Sequence, residues 1–140
     1  MTRIDFYFNV ENKFRQVAEL ADKALTRGRR LWMFVPDEAA ALQLEHELAT
    51  HLPAAFLPHC RSDHVLADQT PILIDWHGDN LLHDDVLINL RPNTPAFFSR
   101  FHGLIEIVGI DAADRLAARS RFRFYRDRGY DIRSHDIAGG

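Results

Sequence analysis

Cysteine is nearly absent: the 140 residues contain one, Cys60. A lone cysteine closes no intrachain disulfide and builds no multi-thiolate zinc site, which excludes a disulfide-framed secreted module and points to a reducing compartment. Lysine is almost as scarce, with Lys13 and Lys23 the only two among 17 basic residues. Long apolar runs are missing too. None approaches the roughly 18 residues of a membrane span. The opening Met1-Thr2-Arg3-Ile4-Asp5-Phe6 puts charges where a signal peptide needs apolar residues, so a cytoplasmic protein without a membrane partner is expected. The seven glycines never form G-x-G-x-x-G, and no Gly-Lys pair exists for a phosphate-binding loop. No G-x-S-x-G elbow occurs, and Cys60, in Pro58-His59-Cys60-Arg61, has no recognisable protease signature around it.

What is present is the composition of a globular domain, 46% hydrophobic and 26% charged, and the length fits one domain over residues 1–140. Ile4 to Val10 reads as an aromatic strand. A helix follows at Phe14, Val17, Ala18, Leu20, Ala21, Ala24 and Leu25, and Gly28 stops it. Leu31 to Val35 is apolar throughout, as expected of a strand covered on both faces, and Pro36 ends it. Asp37 can cap a second helix carrying Ala40, Ala41, Leu44 and Leu48. Beyond a short apolar stretch, Ala54 to Leu57, a polar loop is expected from Arg61 to Thr70. Pro71 to Trp76, Asp85 to Leu90 and Leu104 to Val108 read as strands, with a short helix at Pro95 to Phe101. A long helix runs from about Asp111 to Arg128, stopped at Gly129, and a loose tail is expected after about residue 131. Strands interleaved with helices in this way predict an α/β domain, a three-layer α/β/α arrangement on a mostly parallel, Rossmann-like sheet without a phosphate-binding loop.

Two groups of residues carry candidate chemistry. Asp75, His77 and Asp79 follow a predicted strand and offer carboxylate and imidazole to a divalent metal, the basis of a metal-dependent hydrolase reading; a plain polar loop is the alternative. The second group is basic. Arg115, Arg119, Arg121, Arg123, Arg126, Arg128 and Arg133, against Asp127 and Asp131, make that segment +5 and leave −8 on the rest of a chain whose net charge is −3. With about 100° per residue and Arg115 at zero, Phe122 falls near −20°, Arg126 near +20°, Arg119 near +40° and Arg123 near +80°. This stripe is expected to face solvent, with Ala113, Leu116, Ala117, Ser120 and Phe124 as the packing face. Arginine's planar fork suits carboxylates or phosphates, and Phe122 adds an apolar contact beside the charge. Direct single-stranded nucleic-acid binding by the same arginines is an alternative, against which the −8 elsewhere counts.

The order of several segments resembles the chi subunit family of bacterial DNA polymerase III. These are Asp5-Phe6-Tyr7-Phe8, Arg30-Leu31-Trp32-Met33-Phe34-Val35-Pro36-Asp37-Glu38, Phe56-Leu57-Pro58-His59, Pro71-Ile72-Leu73-Ile74, Val86-Leu87-Ile88-Asn89-Leu90 and the basic Arg119-Ser120-Arg121-Phe122-Arg123-Phe124-Tyr125-Arg126. The resemblance implies a noncatalytic, cofactor-free adaptor of the clamp loader. Such proteins bind the acidic C-terminal tail of single-stranded DNA-binding protein, and many bind a psi subunit. By position it assigns tail binding to Arg115, Arg119, Phe122 and Arg123, with Phe122 where a tyrosine can occur and Arg115 and Arg123 in place of lysines. It assigns psi or another replisome partner to Phe56 and Val108. Phe56, Leu57 and Val108 would then form an apolar partner patch; read as residues alone, between prolines and at the end of a buried strand, plain core is the stronger reading.

Overall fold

Apolar side chains in each strand point alternately to two sides, and that period of two builds two separate cores. The computed structural model describes residues 1–50 and 57–138. Its elements are β1 (Arg3–Val10), α1 (Lys13–Thr26), β2 (Leu31–Phe34), α2 (Glu38–Thr50), β3 (His59–Arg61), β4 (Ile72–Asp75), β5 (Val86–Asn89), β6 (Gly103–Gly109), α3 (Ala112–Asp127) and β7 (Ile132–Asp136). The seven strands form one sheet in the order β3-β4-β2-β5-β6-β1-β7. Every pairing is parallel. The expected three-layer α/β architecture is therefore present. On one face Leu31, Met33, Ile72, Ile74 and Ile88 pack with Val17, Ala21, Ala41 and Leu44 from α1 and α2. On the other, Trp32, Leu73, Leu87 and Leu104 pack with Ala118 and Tyr125 of α3.

The helix ends follow the sequence signals. Asn12, Asp37 and Asp111 each accept a hydrogen bond from the backbone N–H three residues on, at 3.1, 2.9 and 2.6 Å, which satisfies one of the orphan donors of a first turn. Gly129, next to the Arg128 C-cap of α3, takes φ +85, a left-handed conformation that costs glycine little and reverses the chain toward β7.

Three expectations need correction. The chain after Asp131 is no loose tail: Ile132 to Asp136 pair with Ile4 to Phe8 as an edge strand. His59 to Arg61 add β3 at the other edge, where Arg61 was expected to begin a loop. The short helix expected at Pro95 to Phe101 is present as a 3₁₀ turn over Phe98–Arg100. The packing face of α3 is also different from the one the helical wheel selects. Leu116 is 67% exposed, and the buried residues are Ala118, Arg121 and Tyr125. The wheel scores a buried arginine as a surface residue, whereas here Glu106 on β6 supplies a partner beneath it.

A carboxylate also ties β5 to the entrance of β2. Asp85 accepts from Arg29 Nε at 3.0 Å and from the Arg30 backbone N–H at 2.9 Å. The Arg29 hydrogen bonds hold the Asp85 carboxyl below its ordinary range against a smaller desolvation effect. Its folded pKa is thus depressed, so its stabilisation is present above the unfolded carboxylate value and is lost as pH falls through the folded one. Asp85→Asn should consequently lower the urea midpoint at neutral pH, and the gap to the parent protein should close below about pH 4. A gap that persists unchanged at low pH would reject the ionic role.

Candidate functional site

Phe6 and Phe8 alternate with Tyr7, so both phenylalanines point to the α3 side of the sheet. With Val108 and Ala118 they line a cavity of about 300 Å³ that Phe122, Arg115, Arg119, Asn9 and Ser134 also border. The Phe6 and Phe122 rings meet edge to face, centroids 5.3 Å apart. The two arginines are exposed on α3 beside this apolar lining. Arg115 is steadied by Asn9, whose Oδ1 accepts from Nη2 at 3.1 Å, while Asn9 Nδ2 donates to Asp136 Oδ1 at 2.9 Å. Asn9 has φ 61 and lies where the β1–β6 register shifts between Tyr7 and Val10. Asparagine tolerates this left-handed geometry better than most residues, and such irregularities re-aim side chains at strand ends.

Beneath the cavity, a polar cluster sets the position of α3. Glu106 has no solvent exposure and accepts from Arg121 Nε at 3.0 Å, Tyr125 Oη at 2.6 Å and Asn89 Nδ2 at 3.1 Å. Arg121 Nη1 donates to the Pro92 carbonyl at 2.8 Å. Burial raises the Glu106 pKa, opposed first by the charge of Arg121 and then by the hydrogen-bond donors. Burial and the adjacent Glu106 charge likewise push the Tyr125 hydroxyl up, so it stays a donor. These directional bonds fix the rotation of α3, presenting Ala118 and Phe122 to Phe6.

The family model for "DNA polymerase III chi subunit, HolC" matches residues 1–133. The chain belongs to the chi subunit family of DNA polymerase III. It is similar to the DNA polymerase III subunit chi of Pseudomonas aeruginosa, at 32% identity over 98% of each chain. The Haemophilus influenzae protein of that name is 32% identical over 94% of this chain and 95% of that one. The Escherichia coli protein is 26% identical over 83% of this chain and 80% of that one. Membership places this chi-family chain among the accessory subunits of the replicative polymerase.

Of the four tail-binding candidates, the fold brings Arg115, Arg119 and Phe122 to one cavity, while Arg123 is exposed on α3 and does not line it. Phe8 and Asn9 were not among the sequence candidates; an asparagine directly after the aromatic run Phe6-Tyr7-Phe8 was the available signal. Val108 is only 4% exposed and lines this same cavity. Leu57 is buried in the core on the opposite side of the sheet, so these two do not form a shared patch. The alternation of β6 sends residues 104, 106 and 108 toward α3 and away from Leu57. Phe56 lies outside the described residues.

The loop considered for a metal has a different use. Asp75 is 3% exposed and accepts from Trp32 Nε1 at 3.3 Å, Ser62 Oγ at 3.3 Å, the His77 N–H at 3.0 Å and the Gly78 N–H at 2.9 Å. Its lone pairs are committed to a turn and an indole, while His77 and Asp79 are exposed. Among the described residues no three His, Cys, Asp or Glu side chains come together as a metal site, which removes the geometric basis of the hydrolase reading. Cys60 is half-buried within β3, opposite Leu73. Among those residues no helix is long and apolar enough to cross a membrane.

Proposed function

We propose that this chi-family chain is a noncatalytic adaptor of the polymerase III clamp loader that holds the acidic C-terminal tail of single-stranded DNA-binding protein in the α3 cavity, so that this site reaches single-stranded DNA indirectly, through that partner. The observation that carries the reading is the pairing of an apolar hollow, made by Phe6, Phe8, Val108 and Phe122, with the guanidinium groups of Arg115 and Arg119. An acidic peptide with an apolar terminal residue matches both halves: carboxylates meet planar N–H forks and the terminal side chain enters the hollow. Arg123, one turn beyond Arg119 on the solvent side, adds attraction at longer range.

Fluorescence anisotropy with a labelled acidic peptide ending in an apolar residue tests the assignment. Arg119→Ala should weaken binding by about 1.5–3 kcal/mol, the worth of a charged hydrogen bond. Arg123→Ala should cost less, because rim charges act mainly through steering, and its effect should fade with added salt. Unchanged affinity in the Arg119 variant rejects the site.

A further inference from the structure

On the other face of the sheet, at the amino ends of the strands, a groove of about 370 Å³ lies under the last turns of α1. It is bordered by Arg3, Lys23, Arg27, Arg29 and Arg133. Asp85 neutralises Arg29. The other four take part in none of the ion pairs among the described residues. The single carboxylate in the groove, Asp5, has its Oδ1 engaged by His135 Nε2 at 2.8 Å. His135 in turn stacks on Tyr7, with ring centroids 4.4 Å apart and planes inclined by 13°. Positions 3, 23, 27 and 133 are dispersed along the chain, and it is the placement of β1 between β6 and β7 that gathers them.

Four cations around one hollow repel each other, and a polyanion that enters it relieves that repulsion while releasing its own counterions. A stacked aromatic pair among the cations selects further. Carboxylate chains have no flat face to lay on Tyr7 and His135, whereas every nucleobase does, and a cationic groove with aromatic platforms is how single strands are held without sequence preference. We propose that this groove binds the phosphodiester backbone of single-stranded nucleic acid, with a base against the Tyr7 and His135 pair. The site shares no residue with the tail cavity, so each can fail without the other.

Anisotropy of a labelled oligothymidylate, titrated from about 50 to about 200 mM salt, provides the test. Affinity should fall with salt along a slope corresponding to about four phosphate contacts. Replacing Arg27 and Arg133 together by alanine should weaken binding about tenfold and remove about half of that slope. Lys23→Glu alone should act in the same direction from an exposed position on α1. Melting curves establish that both variants are folded. The acidic peptide should bind both variants as it binds the parent, and Arg119→Ala should leave the oligothymidylate affinity intact. Absence of salt-dependent oligothymidylate binding overturns the proposal. So does loss of that binding in Arg119→Ala instead, or loss of the acidic peptide in the groove variants.

Discussion

Arg121→Ala should destabilise the protein by about 3–5 kcal/mol, because it strips the compensating charge from a fully buried carboxylate. Glu106 would retain Tyr125 and Asn89 as donors but lose the cation that opposes its desolvation. Urea melts at neutral pH measure the loss. Adding Glu106→Gln to Arg121→Ala should recover part of it, since an amide in that place has no buried charge left uncompensated. If the second change brings nothing back, the cost of Arg121→Ala is lost packing and not electrostatics. The same variant should weaken the acidic peptide without touching a residue of the cavity, as α3 loses the bonds that set its rotation.

Asp75→Ala should cost about 2–4 kcal/mol, the sum expected when a buried indole N–H and two turn N–H groups lose one shared acceptor. Trp32 is fully buried, so its Nε1 has no water to turn to. Asp79→Ala, on the same loop but exposed, should change stability by no more than about 0.5 kcal/mol. Equal effects at the two positions would reject a structural role confined to Asp75. Thermal melts with and without a divalent ion extend the comparison: a ligand held by Asp75, His77 and Asp79 would raise the midpoint of the parent protein and of neither variant.

The layers were legible because Leu31 to Val35, Ile72 to Ile74 and Val86 to Ile88 are apolar on both parities, which only a doubly covered strand requires. The basic stripe was legible for a similar reason: the angular spacing of Arg115, Arg119 and Phe122 is a local property of one helix. The floor of the cavity was not, since Phe6, Phe8 and Val108 meet α3 only once β1 is seated beside β6, a pairing between distant parts of the chain. β7 leaves no mark in the sequence because Ile132-Arg133-Ser134-His135-Asp136 is a polar edge strand with a single neighbour, and such strands lack the apolar alternation that marks others. On α3 electrostatics overrides hydropathy. Nothing in Arg121 itself tells it apart from Arg119; Glu106, in the middle of Leu104-Ile105-Glu106-Ile107-Val108, was the residue out of place, and a charge inside an apolar strand asks for a buried partner.

The seat of β1 between β6 and β7 has a consequence for synthesis. Its partners lie far downstream, with Thr2 bonded to Phe101 across 99 positions and Asp5 to His135 across 130. As the chain leaves the ribosome, β2, β4 and β5 can pair while the first strand, with Phe6 and Phe8 uncovered, still lacks both neighbours. Both surfaces described above, the hollow under α3 and the groove under α1, include residues of β1. They therefore come into being in the last steps of assembly, so the molecule acquires its recognition surfaces only when nearly all of it has been made.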